Sequence, residues 1–171
     1  MSRASCLASI LLLTACTAPE GKAGPGEADA PYRIGPDGAA GLTEAAPFTV
    51  PAMERAFEGL EVVSLPDPDL PAFEARIPAT GAPLYVVTPD WSRGYTGAVS
   101  TSAADVAGPG GIRAGRSRLS DVAEELKAAC APPEEAGEIV LVCESDRFRL
   151  EFTGETGNPL LARQTYLPPL P

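Results

Sequence analysis

The chain has 171 residues and 44% hydrophobic content, the length of one domain with enough apolar material for a buried core. Its net charge of −10 excludes the basic footprint that nucleic-acid binding needs and argues against unaided adhesion to anionic lipid heads. Histidine is absent, which removes Ser-His-Asp and Cys-His catalysis and the commonest metal ligand.

In chain order, the first feature is an apolar run over residues 7–13, preceded by Arg3 and closed by Leu13-Thr14-Ala15-Cys16. The run is shorter than the roughly 20 residues that cross a bilayer. It fits the hydrophobic region of a secretory signal, roughly 7–15 residues behind a positive start. The pattern resembles a bacterial lipoprotein signal with its lipobox. That resemblance implies that residues 1–15 are removed and that Cys16 becomes the lipidated first residue. Ordinary signal-peptidase cleavage and a buried core helix are the alternatives. One myristoyl chain binds a membrane only marginally, at about 0.8 kcal/mol per buried CH2, whereas the several chains of a mature lipoprotein make release negligible. Thr17 rather than Asp follows the cysteine. By the usual sorting rule, this implies the outer membrane, facing the periplasm.

Residues 16–31 are rich in Pro, Gly, Ala and charge without periodicity, which predicts a flexible tether with a reach of about 20 Å. Residues 32–167 then form one α+β domain. Tyr32-Arg33-Ile34-Gly35 reads as a strand ended by a Gly-Pro-Asp-Gly turn. Thr49 as N-cap, Pro51 in the first turn and the spacing of Val50, Met53, Phe57 and Leu60 predict a helix, stopped at Gly59. Residues 60–65 are strand-like. Residues 73–77, 84–88 and 95–102 read as an antiparallel meander, the last two strands flanking a hairpin loop over residues 89–94.

The pattern then starts again. Gly108-Pro109-Gly110-Gly111 echoes Gly35-Pro36-Asp37-Gly38. Ser117 reads as a second N-cap, with Leu119, Val122, Ala123 and Leu126 on a second amphipathic face. Residues 138–144, 148–153 and 160–167 are three more strands. The expectation is two tandem units, each an amphipathic helix followed by a small antiparallel β-meander, ended by an extended tail over residues 168–171.

Of four cysteines, Cys6 leaves with the signal and Cys16 takes the lipid. Cys130 and Cys143 remain as an even pair in an oxidising compartment, so a disulfide pinning the end of the second helix to the sheet is expected. Two buried thiols are the alternative. Closing a loop of about 14 residues is worth roughly 3 kcal/mol in the chain-entropy account.

No cofactor, metal or nucleotide is expected. Residues 110–117 fall one residue short of a phosphate loop, with Arg116 where Lys belongs, and Arg does not simply replace that Lys. Asp67-Pro68-Asp69 lacks the Gly and the middle ligands of a calcium loop. The neighbouring carboxylates Glu124-Glu125 and Glu134-Glu135 do not face each other on a helix. Two clusters could serve a partner. Trp91, Arg93 and Tyr95 at the hairpin loop are residue types enriched at binding hot spots, although both rings could instead cap the core edge. Arg113, Arg116 and Arg118 are the only basic cluster and could meet a lipid phosphate or form a solvated face.

Several segments together resemble one family. They are Tyr32-Arg33-Ile34-Gly35-Pro36-Asp37-Gly38, Gly41-Leu42-Thr43-Glu44-Ala45-Ala46-Pro47-Phe48, residues 102–117, the region of Cys130 and Cys143, and Phe148-Arg149-Leu150-Glu151-Phe152-Thr153-Gly154. Taken in order they are similar to small Gram-negative outer-membrane lipoproteins of unknown function, regulated in enteric bacteria by the envelope-stress sigma factor. The resemblance implies no catalytic residues. Separately, Gly111-Ile112, Gly115 and Ser117 resemble a segment of small lipoprotein modules that help assemble outer-membrane proteins. The leading expectation is a non-enzymatic envelope binding or assembly module, held by lipid on Cys16, with an envelope protein or polymer as partner. A cell-wall or lipid hydrolase, or a hydrolase inhibitor, is the alternative.

Overall fold

A computed structural model describes residues 30–135 and 137–170. The signal, Cys6, Cys16, Thr17 and the tether up to residue 29 lie outside the described residues.

The first strand, β1 (Tyr32–Gly35), turns across Pro36-Asp37 and pairs antiparallel with β2 (Gly38–Ala39). The helix α1 (Val50–Ala56) starts after Thr49, with Pro51 in its first turn, where a missing N–H costs nothing. Met53, Ala52 and the following Phe57 bury its apolar stripe. Four strands then form a meander: β3 (Glu61–Leu65), β4 (Ala72–Arg76), β5 (Pro83–Pro89) and β6 (Thr96–Thr101). After β7 (Val106–Ala107), which lies parallel to β1, come α2 (Glu124–Lys127), β8 (Cys130–Ala131), β9 (Ile139–Ser145), β10 (Phe148–Thr153) and β11 (Leu160–Tyr166).

The expectation of two tandem helix-and-meander units is overturned on two counts. First, the meanders are not separate. β6 pairs antiparallel with β11 through Val99↔Tyr166, Ser100↔Thr165 and Thr101↔Gln164. All the long strands therefore belong to one eight-stranded antiparallel sheet in the order β3-β4-β5-β6-β11-β10-β9-β8. Second, the helix predicted after Ser117 does not form. Leu119–Asp121 make a 3-10 turn, Val122 and Ala123 are extended, and α2 has only four residues.

The physical reason is competition from the sheet. The Ser117 carbonyl accepts the Leu161 N–H at 2.8 Å, the Leu161 carbonyl accepts the Gly115 N–H, and Leu119 N–H donates to Pro159. The Ser117 hydroxyl accepts the Arg113 N–H at 2.9 Å instead of capping a helix. Val122 is buried, and Leu119 and Leu126 still pack on the core. The spacing marked the burial of Leu119, Val122 and Leu126, but Ala123, expected on the same face, is exposed because the backbone took another route.

The echo of Gly-Pro turns is likewise compositional. The first is a hairpin turn; the second is a 3-10 turn over Pro109–Gly111. The disulfide joins Cys130 to Cys143, which face each other across β8 and β9. Glu144 N–H donates to the Ala129 carbonyl on one side of the pair, so the cysteines occupy a non-hydrogen-bonded register where strands approach most closely. The bridge therefore fastens a two-residue edge strand and not a helix end.

One face of the sheet is the core. Phe73, Val87, Val99, Tyr166 and Phe148 form one row across it, each directly opposite the next. Thr101, Gln164, Leu150, Cys143 and Cys130 form a second. Fully burying a large apolar side chain is worth about 1.5–3 kcal/mol. The small sheet of β1, β2 and β7, the helix α1 and the intervening loops cover this face. Two phenols rivet the layers together: Tyr85 donates to the Arg33 carbonyl at 3.0 Å, and Tyr166 donates to the Thr43 carbonyl. Burial raises both phenol pKa values above the ordinary value of 10.0.

Gln164 sits fully buried in the second row with both ends of its amide unpartnered, and Gly108 lies against it. A Cβ on Gly108 would come within 1.8 Å of Gln164 Oε1 and 3.0 Å of Ile112 Cγ1. Gly108→Ala is therefore expected to destabilise the fold by about 1–3 kcal/mol through overpacking. In a Gln164→Ala background the loss from Gly108→Ala should be smaller than in the unaltered protein. Urea denaturation of the four proteins tests this; additive losses would refute the steric account.

Candidate functional site

The strand directions give the sheet two distinct ends. Along β3, β5, β9 and β11 the chain runs toward one end, and along β4, β6 and β10 it returns. One end, termed distal here, gathers the loop over residues 66–71, the hairpin loop over residues 90–95, the Asp146-Arg147 turn and the C-terminal residues. The proximal end gathers the starts of β3, β5 and β11. Tyr32 pairs with Val106 there, and Pro31 and Tyr32 share a surface hollow with Arg55 and Leu60. The domain thus receives its N-terminal stretch at the proximal end.

Short polar side chains build the distal end. Asp67 Oδ1 accepts the N–H groups of Asp69 and Leu70 at 2.8 and 3.0 Å, an Asx turn that closes the Pro-rich loop. Asp90 accepts the Tyr95 N–H through Oδ1 and the Ser92 hydroxyl through Oδ2, which closes the hairpin loop. Arg93, with φ 59°, donates its guanidinium to the carbonyls of Pro68 and Asp69 at 3.0 and 3.1 Å and ties the two loops together. Phe48 N–H donates to the Gly94 carbonyl, and Pro47 bridges to Tyr95. Ala45 N–H donates to the Pro169 carbonyl, which draws in the C-terminal residues.

This rigging leaves apolar side chains in water. Trp91 is 90% exposed, Leu70 64% and Leu170 54%, and Val50 and Tyr95 are also exposed. These five are the exposed large hydrophobics among the described residues, and all lie at the distal end. Trp91 therefore does not cap the core, whereas Tyr95 is about half covered. Trp91, Arg93 and Tyr95 do come together, although Arg93 is spent on bracing the loops. Leu70 and Leu170 carried no separate signal in the sequence, and Val50, which shares the apolar spacing of α1 with Met53 and Phe57, is exposed instead.

Arg113, Arg116 and Arg118 lie at the proximal end, a sheet's length from Trp91. Arg113 donates to the carbonyls of Ala104 and Asp105, and Arg118 donates to the Asn158 carbonyl at 2.9 Å. Arg116 is exposed and stands 3.9 Å from Asp105, a surface pairing of small energetic value. The glycine loop over residues 110–117 leads into extended chain and a 3-10 turn, so it lacks the helix that a phosphate cradle requires. Among the described residues no group of three His, Cys, Asp or Glu side chains is placed to hold a metal ion.

The outer face of the sheet is polar. Glu74, Val86, Ser100, Thr165, Arg149 and Glu144 form a row across it. Ion pairs join Glu144 to Arg149 at 2.8 Å and Glu151 to Arg163 at 3.4 Å. Two open hollows of about 600 and 570 Å³ flank the Glu151–Arg163 pair.

No protein-family model matches the chain, and no curated protein matches it. The fold is similar to the crystal structure of the uncharacterized protein yfeY from Escherichia coli, with a TM-score of 0.54 and 14% sequence identity over 79% of this chain and 99% of that one. The likeness establishes a fold related to that of an uncharacterized bacterial protein.

Hydrogen bonds to the Asp67 carboxylate from Leu70 and Asp69, and to Asp90 chiefly from Ser92, hold both carboxyls below the ordinary value of 3.8. With folded values depressed, their support for the loops is complete above pH 3.8 and is lost as pH falls through the folded values. Trp91 is the only tryptophan, so its emission reports the hairpin loop directly. The expected titration is flat from neutral pH down to about 4 and shifts only below that. A transition centred near pH 5 would contradict this account.

Proposed function

We propose that this protein is a non-enzymatic binding module of the cell envelope, anchored to the outer membrane by lipid on Cys16 and facing the periplasm. In this reading it engages an envelope protein or polymer through its distal end. The observation that carries the proposal is the gathering of Trp91, Leu70, Leu170, Val50 and Tyr95 at the end of the sheet opposite the one that receives the N-terminal stretch. An aromatic anchor with aliphatic neighbours is the composition of a binding hot spot. A lipid at Cys16 would attach through the tether to the proximal end, leaving the distal end able to face away from the bilayer. The resemblance to small outer-membrane lipoproteins supports the same address.

The test is crosslinking in intact cells with a photoreactive residue at position 91, compared with one at position 155 in the proximal β10–β11 loop. Position 91 is expected to capture a discrete partner and position 155 to capture none. Efficient capture from 155 with silence at 91 would refute the distal assignment. In parallel, Cys16→Ser should abolish incorporation of a palmitate analogue; retained label would refute the anchor.

A further inference from the structure

The charge of the distal end narrows the chemistry of what it binds. Asp67, Asp69 and Asp90 stand in the two loops that present Leu70 and Trp91. Glu54 lies one helical turn beyond Val50, on the same face of α1. Glu44 adjoins the segment that holds the C-terminal residues through Ala45. All but Asp90 are well exposed, and Asp90 is half-buried. The cation among them is Arg93, whose guanidinium is already held by two carbonyls. Arg147 stands further along the same end, in a turn with Asp146 and in the hollow that also holds Asp37. The basic cluster of Arg113, Arg116 and Arg118 is at the opposite end, among carboxylates of its own such as Asp105 and Asp121.

Resting on the distal end as the binding face, we infer that its partner is a cationic protein segment in which Lys or Arg side chains alternate with aliphatic or aromatic ones. Three features favour this occupant together. The exposed carboxylates attract cations. The indole of Trp91 offers a face for a cation–π contact, strongest for Trp among the aromatic residues. Leu70, Leu170 and Val50 accept apolar side chains between the charges. An anionic phospholipid surface meets repulsion here, and a neutral glycan could donate hydroxyls to the carboxylates but gains no charge attraction from them. Exposed charges act only over about 8 Å at physiological salt, which the direct neighbours of Trp91 and Leu70 satisfy.

The experiment uses Trp91 emission of the full mature chain. The probes are an amphipathic Lys/Leu peptide, a Glu/Leu peptide of equal length and phosphatidylglycerol vesicles. The Lys/Leu peptide is expected to give a saturable shift, with the other two silent. Neutralising the distal end with Glu54→Gln and Asp69→Asn should weaken binding by about fivefold or more. Neutralising Glu134→Gln and Glu135→Gln in the proximal loop should leave it unchanged. Those variants are exposed and make no packing contacts in the core, so folding is not at issue. Absence of a Lys/Leu response, equal responses to both peptides, a response to vesicles, or equal weakening by both pairs of substitutions would overturn the inference. The distal docking reading is judged separately by capture from position 91, so either can fail alone.

Discussion

The junction between β6 and β11 determines the rest of the structure. Each of these strands ends its own meander, and their pairing through Val99, Ser100 and Thr101 turns two meanders into one eight-stranded sheet. One buried cluster spans both meanders. The row from Phe73 to Phe148 crosses the junction at Val99↔Tyr166, and the row through Gln164 crosses it at Thr101. Thr101 resolves its buried hydroxyl by donating to the Leu84 carbonyl at 2.6 Å. Gln164 has no such partner, and room for its amide exists only because residue 108 lacks a side chain. The junction therefore fixes both the β7 region above it and the composition of the core beneath.

The same pairing produces the functional polarity. Because β6 and β11 are antiparallel, the β5–β6 hairpin loop and the C-terminal residues after β11 emerge at one end. The Leu119 region and the start of the domain lie at the other. Trp91, Leu70 and Leu170 come to the same end of the sheet although they are far apart in the chain. The Arg93 guanidinium, the Asp67 turn and the Asp90 turn hold that surface in shape with local hydrogen bonds, so exposed apolar groups are displayed on a braced platform.

Much of the local structure was legible in the sequence. Strand-like runs between turn signals marked β4, β5, β6, β9, β10 and β11, and the Thr49-Val50-Pro51 start with Met53 and Phe57 marked α1. The facing cysteines of β8 and β9 lay where an even pair was expected to bridge. What could not be read was pairing between distant strands, since nothing in β6 names β11 as its neighbour. The second helix failed for a related reason. Leu119, Val122 and Leu126 have helical spacing, yet the backbone around Ser117 found partners at Pro159 and Leu161 that a local pattern does not reveal. At the distal end the aromatic and Arg residues of the hairpin loop were visible as candidates, whereas Leu70 and Val50 joined them only through tertiary contact.

Amide hydrogen exchange on the folded chain tests the central claim most directly. If one sheet joined at β6 and β11 is the cooperative unit, the paired amides of these two strands will be among the slowest to exchange and will open with the same free energy. Should the β8–β11 half exchange through an opening that leaves β3–β6 protected, the meanders would be independent units and the account would be wrong.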